Sequence, residues 1–273
     1  MTVAADDFEF FRGWLWRRSA IALEAGKEYL VDARLEEVAR AEGLPSVAAL
    51  IGRLRAAAPP ALETKVVEAL TTNETSFFRD WKPFEALRTR ILPDAIARRV
   101  GERRLDVWSA ACASGQEAYS VAMLLADDFP QLDGWDVRIH GTDLSHEMVR
   151  RTAAGRFSQL EVNRGLPAPL LVRHFRQEPG GAWVVADALR RRVRASQLNL
   201  AGPWPSLPAM DVVLLRNVLI YFDVPTRTAI LERVRRLRAP GGALFLGSAE
   251  TTVGLHDGVR RELAGGAAWF CAA

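Results

Sequence analysis

Two acidic residues stand where a predicted α/β sheet would bind a ligand, and the first of them is Glu117. Residues 105–125 run from an apolar segment through the small residues Ser109 to Gly115 into a helix with an apolar face, which predicts a strand, a tight loop and a helix. Such a crossover binds its ligand at the carboxyl end of the strand. A glutamate in the first helical turn would repel a phosphate and suits a cationic or hydroxyl-bearing ligand. The alternative is that Glu117 only complements the positive end of the helix dipole.

The same loop lacks the residues that phosphate-binding loops need. Gly115 is its only glycine, so the G-x-G-x-x-G pattern is absent, and no Lys-Ser/Thr pair follows it. Neither the dinucleotide fingerprint nor the P-loop is therefore present. A nicotinamide-dependent dehydrogenase is disfavoured for the same reason.

The second acidic residue, Asp143, ends a predicted strand over residues 137–142. Its distance from Gly115 is typical of a βαβ unit, and an acid at the tip of the second strand is well placed to accept hydrogen bonds from ribose hydroxyls. The alternative is that Asp143 or Ser145 caps the next helix. Because Glu117 and Asp143 follow neighbouring predicted strands, we favour a shared ligand site at one edge of the sheet.

The composition is that of an ordinary globular protein. The chain has 273 residues, of which 49% are hydrophobic and 25% charged, enough for one α/β domain and a smaller one. Its 36 basic and 33 acidic side chains leave a net charge of only +3, so nucleic acid is not an expected partner. The two cysteines form no disulfide framework and the four histidines show no metal spacing. Without a signal peptide or long apolar run, we expect a cytoplasmic protein with no metal and no direct membrane insertion.

The first part of the chain, to about residue 90, reads as a helical domain followed by a linker. Ser46, for example, precedes a helix with apolar residues at positions 47, 50, 51 and 54, the spacing of one helix face. The arginines on the opposite faces are plain solvated surface or meet an acidic partner. Residues 70–79 are polar and end in paired aromatics, which predicts a linker with a hydrophobic plug or the wall of a cleft.

Residues 91–273 have the pattern of a doubly wound, mostly parallel α/β sheet. The near-continuous apolar run at residues 211–217 is typical of a strand that is covered on both faces. Prolines and glycines punctuate short segments at about residues 156–186, which predicts an inserted small β subdomain. A turn is expected at Pro240–Gly242, and the last residues, from Gly265 onward, predict a final hairpin.

Several motifs are spread along the chain. They are TTNETSFFR, VWSAACASGQEAYS, GTDLS, Asn199-Leu200, RNVLIYFD and the PGG turn. Together they resemble the motifs of one enzyme family, the chemotaxis-receptor glutamate methyltransferases, or CheR family; the most specific are TN-x-T-x-FFR in the linker and RNV-x-IYF after the apolar strand. The resemblance covers nearly the whole chain and implies a Rossmann-like methyltransferase sheet, an inserted β subdomain and an N-terminal all-helical domain.

The resemblance also implies the cofactor, the acceptor and the site residues. The cofactor would be S-adenosylmethionine, with S-adenosylhomocysteine as its product, and the acceptors would be receptor glutamates. Arg79 and Tyr221 match the catalytic positions that the family places beside the transferred methyl. The implied cofactor contacts are Asn73, Thr75, Arg79, Ala111, Glu117, Asp143, Asn199, Leu200, Leu215 and Arg216.

The implied partner is the cytoplasmic helical domain of a chemoreceptor, a methyl-accepting chemotaxis protein. The inserted subdomain and the basic N-terminal helices match the family's receptor-binding surfaces. Residues 176–182, however, form a shorter segment than in members that dock on a C-terminal peptide tether of the receptor. We therefore expect no tether binding.

The residue types suit this chemistry. The methyl donor is a sulfonium cation, which fits acids at the strand tips. A glutamate acceptor, with a pKa of about 4.3, is anionic at neutral pH and needs no general base. Orientation and exclusion of water then supply most of the rate, and the planar fork of Arg79 suits an acceptor carboxylate. Tyr221 shapes the donor side or is only an aromatic plug at a strand end.

Two rival functions are weighed against these residues. An amino-group methyltransferase commonly has an Asn/Asp-Pro-Pro-Tyr type loop after its fourth strand, whereas this chain has Arg216–Leu219 there. A non-catalytic sensor or scaffold of a chemosensory array would bind the cofactor or its product without transferring a methyl group, and the presence of Arg79 and Tyr221 argues against it. We therefore expect an S-adenosylmethionine-dependent protein-glutamate O-methyltransferase for sensory adaptation, with the sensor as the alternative.

Overall fold

The computed structural model describes residues 3–250, 259–264 and 266–272. Its contacts divide the chain into two compact units, Met1–Thr72 with Tyr221–Thr226, and Asn73–Ile220 with Arg227–Ala273. Residues 73–90, which the sequence analysis grouped with the N-terminal helices as a linker, thus lie by their contacts in the second unit. The predicted domain boundary at about residue 90 stays a prediction.

The first unit is built from four amphipathic helices. Their apolar faces bury residues such as Phe8, Leu35, Leu50 and Val66 almost completely. Ser46 caps the third helix by accepting a hydrogen bond from the backbone N–H of Ala49 at 3.1 Å, as the sequence predicts. The helices are α1 (Ala5–Ser19), α2 (Glu28–Ala41), α3 (Val47–Arg55) and α4 (Pro60–Ala69).

The second unit contains a seven-stranded sheet with helices between its strands. The strands of this sheet are β1 (Arg104–Ala110), β2 (Asp136–Asp143), β6 (Val193–Gln197), β7 (Met210–Leu215), β8 (Arg238–Leu246), β9 (Val259–Ala264) and β10 (Ala267–Ala272). Outside the inserted subdomain, the helices after residue 72 are α5 (Lys82–Ala86), α6 (Leu92–Arg99), α7 (Gln116–Asp128), α8 (His146–Ala154), α11 (Asp187–Arg190) and α12 (Val224–Leu237), of which α12 begins in the segment Tyr221–Thr226 that is grouped with the first unit. A π-helical turn (Leu87–Ile91) joins α5 to α6, and short 3₁₀ turns lie at Pro130–Leu132 and Leu219–Tyr221.

The strand order of the sheet is β6-β2-β1-β7-β8-β10-β9. The first five strands in this order run parallel, and only β10 and β9 are antiparallel to their neighbours. This confirms the predicted mostly parallel sheet. Ala110 at the end of β1 pairs with Thr142 in β2 and with Leu215 in β7, so the carboxyl ends of the three strands are level. Because the chain leaves β1 for β2 on one side and later adds β7 on the other, a topological switch point lies between β1 and β7.

Two local predictions were wrong. Ser109 belongs to β1 rather than to the following loop, because it pairs with Gly141 in β2 and with Leu214 in β7. The Pro240–Gly242 segment lies inside β8 rather than in a turn between helix and strand. The register of β7 against β8 shifts between Met210 and Val212, and such a bulge accommodates extra residues without ending the strand.

The inserted subdomain is a small antiparallel sheet with two short helices. Phe77 of the linker packs into this subdomain. Its ring is fully buried and lies 5.0 Å from the ring of Phe157 and 5.8 Å from that of Phe175. Gly165 lets the backbone of Phe77 approach closely, because a Cβ on this residue would collide with the carbonyl oxygen of Phe77. The sheet order is β3-β5-β4, and the elements are β3 (Arg156–Phe157), α9 (Gln159–Val162), α10 (Ala168–His174), β4 (Phe175–Gln177) and β5 (Trp183–Val185).

No helix within the described ranges is both long enough and apolar enough to cross a membrane.

Candidate cofactor and active site

The carboxylate of Glu117 and the guanidinium of Arg216 meet at the switch point between β1 and β7. Glu117 lies in the first turn of α7, and Arg216 directly follows β7. Nη1 of Arg216 donates to Oε2 of Glu117 at 2.9 Å, and Oγ of Ser109 donates to Oε1 at 2.7 Å. Glu117 therefore connects β1 to β7, a role that complementing the helix dipole does not explain.

The other end of the Arg216 side chain holds the linker. Its Nη2 donates to the carbonyl oxygen of Arg79 at 2.9 Å and to Oδ2 of Asp80 at 2.7 Å. The Arg216 side chain is only 2% exposed, so one buried cation faces two carboxylates, Glu117 and Asp80. This buried guanidinium fixes the local geometry strongly, because removing it would leave the largely buried carboxylate of Glu117 without its counter-charge. The structure thus brings Arg79, Glu117 and Arg216 together as predicted from sequence.

The guanidinium of Arg79 itself is only lightly engaged. The side chain is half-buried, and Nη1 donates to the backbone carbonyl of Glu74 at 3.0 Å. Among the residues that the structure describes, no carboxylate forms an ion pair with Arg79. Its positive charge is therefore available to an acidic group, whereas that of neighbouring Arg216 is neutralised.

Asp143 lies at the tip of β2 and connects two loops. It is 6% exposed. Its Oδ2 accepts from the backbone N–H of Ala113 at 2.8 Å, and its Oδ1 accepts from that of Ser145 at 2.9 Å. Ser145 is the residue that caps α8, by accepting from Met148. The capping alternative therefore applies to Ser145, and Asp143 remains at the strand tip beside the loop after β1.

Leu200 follows β6, and Leu215 ends β7 opposite Ala110 of β1. The backbone N–H of Leu198 donates to the carbonyl oxygen of Asp143 at 2.9 Å, which places the Asn199-Leu200 segment directly after β6. The indole N–H of Trp204 donates to the carbonyl of Leu200 at 3.0 Å. Leu200 and Leu215 are 5% and 0% exposed. They can form an apolar wall but offer no side-chain hydrogen bonds.

The loops around the switch point are strained. After β1, Ala111 and Ala113 have φ values of 54° and 48°, and after β7, Asn217 has a φ of 59°. In the linker, Phe78 and Asp80 have φ values of 47° and 66°. Non-glycine residues rarely adopt this region, and such residues concentrate at binding and catalytic sites where the surroundings hold them in place.

Asn73, Thr75 and Tyr221 complete the set of predicted site residues. Asn73 and Thr75 are half-buried in the irregular segment before Phe77, and their cofactor contacts stay predictions. Tyr221 ends a 3₁₀ turn and is grouped by its contacts with the helical unit, where its carbonyl accepts from the N–H of Ala22 at 2.9 Å. Its catalytic role stays a prediction as well.

Asp80, Ser109 and Glu250 are site residues that the sequence analysis missed. Asp80 pairs with Arg216, Ser109 with Glu117, and the Glu250 carboxylate accepts from the backbone that follows Arg216. The TN-x-T-x-FFR motif ends just before Asp80, which was the nearest available signal for that residue. No pattern in the sequence pointed to Glu250.

Cys112, between the strained alanines, is a poor nucleophile. The thiol is 3% exposed, and its Sγ lies 3.6 Å from Oγ1 of Thr152. Burial, together with the nearby Asp143 carboxylate, raises its pKa from 9.0 to about 12. At neutral pH it is therefore a neutral thiol that packs the loop.

This pKa predicts how stability depends on alkaline pH. The folded state holds Cys112 neutral up to a pKa of about 12, whereas the unfolded chain ionises from its ordinary value of 9.0. Burial raises the pKa of Tyr119 from 10.0 to about 12 in the same way. The stabilisation is complete below about pH 9 and is lost as the pH rises from there towards 12. The midpoint of urea denaturation of the wild type should fall as the pH is raised from 8 to about 10.5. The decrease should be smaller in Cys112→Ala. An equal decrease in both proteins would contradict the assignment to Cys112.

The donor set fits S-adenosylmethionine better than a phosphate-bearing ligand. One carboxylate, Glu117, lies in the first turn of the helix after β1, and another, Asp143, ends β2, which suits a ligand with a positive charge and ribose hydroxyls. Across the part of the chain that the structure describes, no group of three or more His, Cys, Asp and Glu side chains could hold a metal ion. A mostly parallel, doubly wound sheet with this site defines the class of Rossmann-like methyltransferases.

Comparisons with known proteins identify the family. The family model described as "CheR methyltransferase, SAM binding domain" matches residues 73–263, and "CheR methyltransferase, all-alpha domain" matches residues 6–71. The chain belongs to the CheR methyltransferase family. It is therefore an S-adenosylmethionine-dependent methyltransferase that functions in chemotaxis, which confirms the predicted enzyme class and cofactor.

Relatives from three bacteria match nearly the whole chain. "Chemotaxis protein methyltransferase 1" of Pseudomonas aeruginosa is 41% identical over 94% of this chain and 94% of its own length. "Chemotaxis protein methyltransferase Cher2" of Pseudomonas putida is 40% identical over 92% of each chain. "Chemotaxis protein methyltransferase 2" of Vibrio cholerae is 34% identical over 92% of this chain and 87% of its own.

The position of Asp143 leads to a prediction about cofactor affinity. Replacing Asp143 with alanine should weaken binding of S-adenosylhomocysteine by about 1.5 to 3 kcal/mol, the range for a hydrogen bond to a charged group. Isothermal titration calorimetry measures this directly, with the exposed Asp94→Ala as the control. Unchanged affinity of the Asp143 variant would remove this residue from the cofactor site.

Proposed function

We propose that the chain transfers a methyl group from S-adenosylmethionine to glutamate side chains in the cytoplasmic helical domain of a chemoreceptor. The observation that carries this proposal is the arrangement of Arg79. Its backbone carbonyl is held by buried Arg216, while its own guanidinium pairs with no carboxylate of the described residues. A guanidinium whose charge no described carboxylate neutralises, on a backbone that Arg216 holds, suits recognition of an acceptor carboxylate by its planar fork.

The residues at the switch point would hold the cofactor. Asp143 is at the strand tip where ribose hydroxyls are bound in doubly wound sheets, and Glu117 favours the cationic part of the molecule. The other residues of the proposed cofactor site are Asn73, Thr75, Arg79, Ala111, Asn199, Leu200, Leu215 and Arg216. When bound, the cofactor supplies an electrophilic methyl group on a sulfonium centre.

The protein side of the reaction is then orientation without proton transfer. A glutamate carboxylate has a pKa of about 4.3 and is already ionised at neutral pH, so no general base is needed. Arg79 would aim the acceptor, and Arg216 would hold Arg79 in place through its carbonyl.

Recognition of the receptor is proposed for two surfaces. In the helical unit, Arg34 and Arg53 form no ion pair with any carboxylate that the structure describes, so they can meet an acidic receptor helix. In the inserted subdomain, Leu160 and Val172 are 78% and 80% exposed, an apolar complement to that charge. Electrostatic complementarity of this kind speeds association and weakens with salt.

The hairpin of the inserted subdomain supports the absence of a tether site. The backbone N–H of Glu178 donates to the carbonyl of Ala182 at 2.8 Å, and that of Gly181 donates to the carbonyl of Glu178 at 3.0 Å. The connection between β4 and β5 is therefore a tight turn. We propose that the receptor is bound through its helices and not through a C-terminal peptide.

The experiment that tests the function uses labelled S-adenosylmethionine and a chemoreceptor cytoplasmic domain, with and without its last residues. We expect base-labile label, the mark of a methyl ester, on both receptor forms at equal rates. Base-stable label would contradict a carboxylate acceptor, and loss of labelling on the truncated receptor would contradict the tether-free proposal. A receptor whose methylated glutamates are replaced by alanine is the control.

A further inference from the structure

We propose that Glu250 is a positioning residue for methyl transfer, which holds the backbone of the loop after β7. This inference rests on the proposed function for its kinetic consequence, although its structural part can be tested without it. We call the segment Arg216–Leu219 the β7 loop. Glu250 follows β8 and does not belong to any of the motifs that define the site.

The Glu250 carboxylate accepts four hydrogen bonds from backbone N–H groups. Its Oε1 accepts from Val218 and from Leu219, each at 2.7 Å. Its Oε2 accepts from Asn217 at 2.8 Å and from Gly247 at 2.7 Å. Three consecutive N–H groups of the β7 loop thus converge on one side chain. A carboxylate is the only side chain that offers acceptors on both terminal atoms and carries no donor to oppose these groups.

The space for this carboxylate depends on Gly247. A Cβ added to Gly247 would lie 2.7 Å from Oε2 of Glu250 and 2.9 Å from the backbone nitrogen of Asn217. Real Cβ atoms do not approach other heavy atoms this closely. Gly247 and Glu250 therefore depend on each other, because the Glu250 carboxylate occupies the space that the missing side chain of Gly247 leaves open.

The β7 loop needs such support because it is strained and connected to the site. Asn217 has a φ of 59°, a conformation that persists in a non-glycine residue only when its surroundings impose it. Arg216, the residue before it, bonds Glu117 and the carbonyl of Arg79 through its side chain. Glu250 holds the backbone of the β7 loop, while Glu117 and Asp80 hold the side chain of Arg216. Loss of the Glu250 carboxylate should therefore displace Arg216 and, through it, Arg79.

The kinetic test compares wild type with Glu250→Gln, Glu250→Ala and the control Glu232→Gln, whose glutamate forms a surface pair with Arg235. Glutamine places an NH₂ group against two N–H donors. We expect kcat for methyl transfer to fall about a hundredfold in both Glu250 variants, the effect of a displacement of about 1 Å. The KM for S-adenosylmethionine should change much less, and Glu232→Gln should match wild type.

Chemical rescue separates positioning from a general loss of structure. Glu250→Ala removes a two-carbon carboxylate, which is acetate, and leaves four N–H groups around the gap. Added acetate should restore kcat of Glu250→Ala, while equal concentrations of chloride or of neutral acetamide should not. Gly247→Ala should lower kcat in the same way, and acetate should not rescue it, because its Cβ occupies the space. No rescue of Glu250→Ala would overturn the proposal.

A readout without methyl transfer keeps the inference separate from the proposed function. Amide hydrogen exchange of Asn217, Val218 and Leu219 in the full chain should be slow in wild type and faster in both Glu250 variants, with acetate restoring protection in Glu250→Ala. If wild type methylates no receptor but shows this exchange pattern, the proposed acceptor is wrong and the role of Glu250 in holding the loop stands. Unchanged exchange in the variants would overturn the inference whatever the activity.

Discussion

Replacing Arg79 by lysine is expected to lower methyl transfer to the receptor about a hundredfold while S-adenosylhomocysteine still binds. Lysine keeps the positive charge but loses the planar fork that grips both oxygens of a carboxylate. The acceptor would then sit off the line of attack, and an error of about 1 Å in such alignment can reduce the rate on the order of a hundredfold. The measurement is kcat with a saturating receptor domain, together with calorimetry of the product.

The matched control for this variant is Arg90→Lys. Arg90 lies in the π-helical turn, is 63% exposed and pairs with Asp94, so the same substitution there should leave the rate unchanged. Equal rates for wild type and Arg79→Lys would remove Arg79 from the mechanism. Loss of product binding in Arg79→Lys would instead assign this residue to the cofactor alone.

Replacing Arg216 by methionine should have the largest effect on stability. The guanidinium is 2% exposed and faces Glu117 and Asp80 at 2.9 and 2.7 Å. Removing one partner of a buried ion pair leaves an uncompensated charge and costs about 3 to 5 kcal/mol. We expect the free energy of unfolding of the cofactor-free protein to fall by this amount, measured from the midpoint of urea denaturation at unchanged slope.

A double substitution tests whether the pair causes this effect. In Arg216→Met with Glu117→Gln, no unpaired charge remains at position 117, so the loss should be smaller than the sum of the two single losses. An additive result would mean that Arg216 and Glu117 do not interact in solution. Arg235→Met, at an exposed pair on α12, should cost less than about 1 kcal/mol.

The part of the site that follows strand tips could be predicted from sequence, because topology alone places it. Glu117 opens the helix after β1, and Asp143 ends β2. Parallel strands bring such positions to one edge of the sheet. The apolar run before Arg216 identified β7 in the same way. For these residues, the local sequence pattern is enough to predict their position in the fold.

The supporting residues could not be predicted, because their partners are distant in sequence. Asp80 and Arg216 are 136 positions apart, and Glu250 lies 32 positions from Val218. No periodicity links such pairs. A carboxylate that accepts hydrogen bonds from backbone N–H groups also requires no particular side chain on its partners, so their residue types do not reveal it. The PGG segment was misread for a related reason: a bulge against β7 lets it continue β8 where local composition predicts a turn.

The dependence of the methyl-transfer rate on pH tests the central claim most directly, namely that an acceptor carboxylate is aligned without a general base. With wild-type protein, S-adenosylmethionine and the receptor domain, we expect kcat to stay nearly flat from about pH 6 to 9 and to fall only on the acid side, as a glutamate with a pKa of about 4.3 is protonated. A rate that climbs steeply above neutrality would contradict the account, because it would show that a hydroxyl or amine acceptor loses its proton to a base.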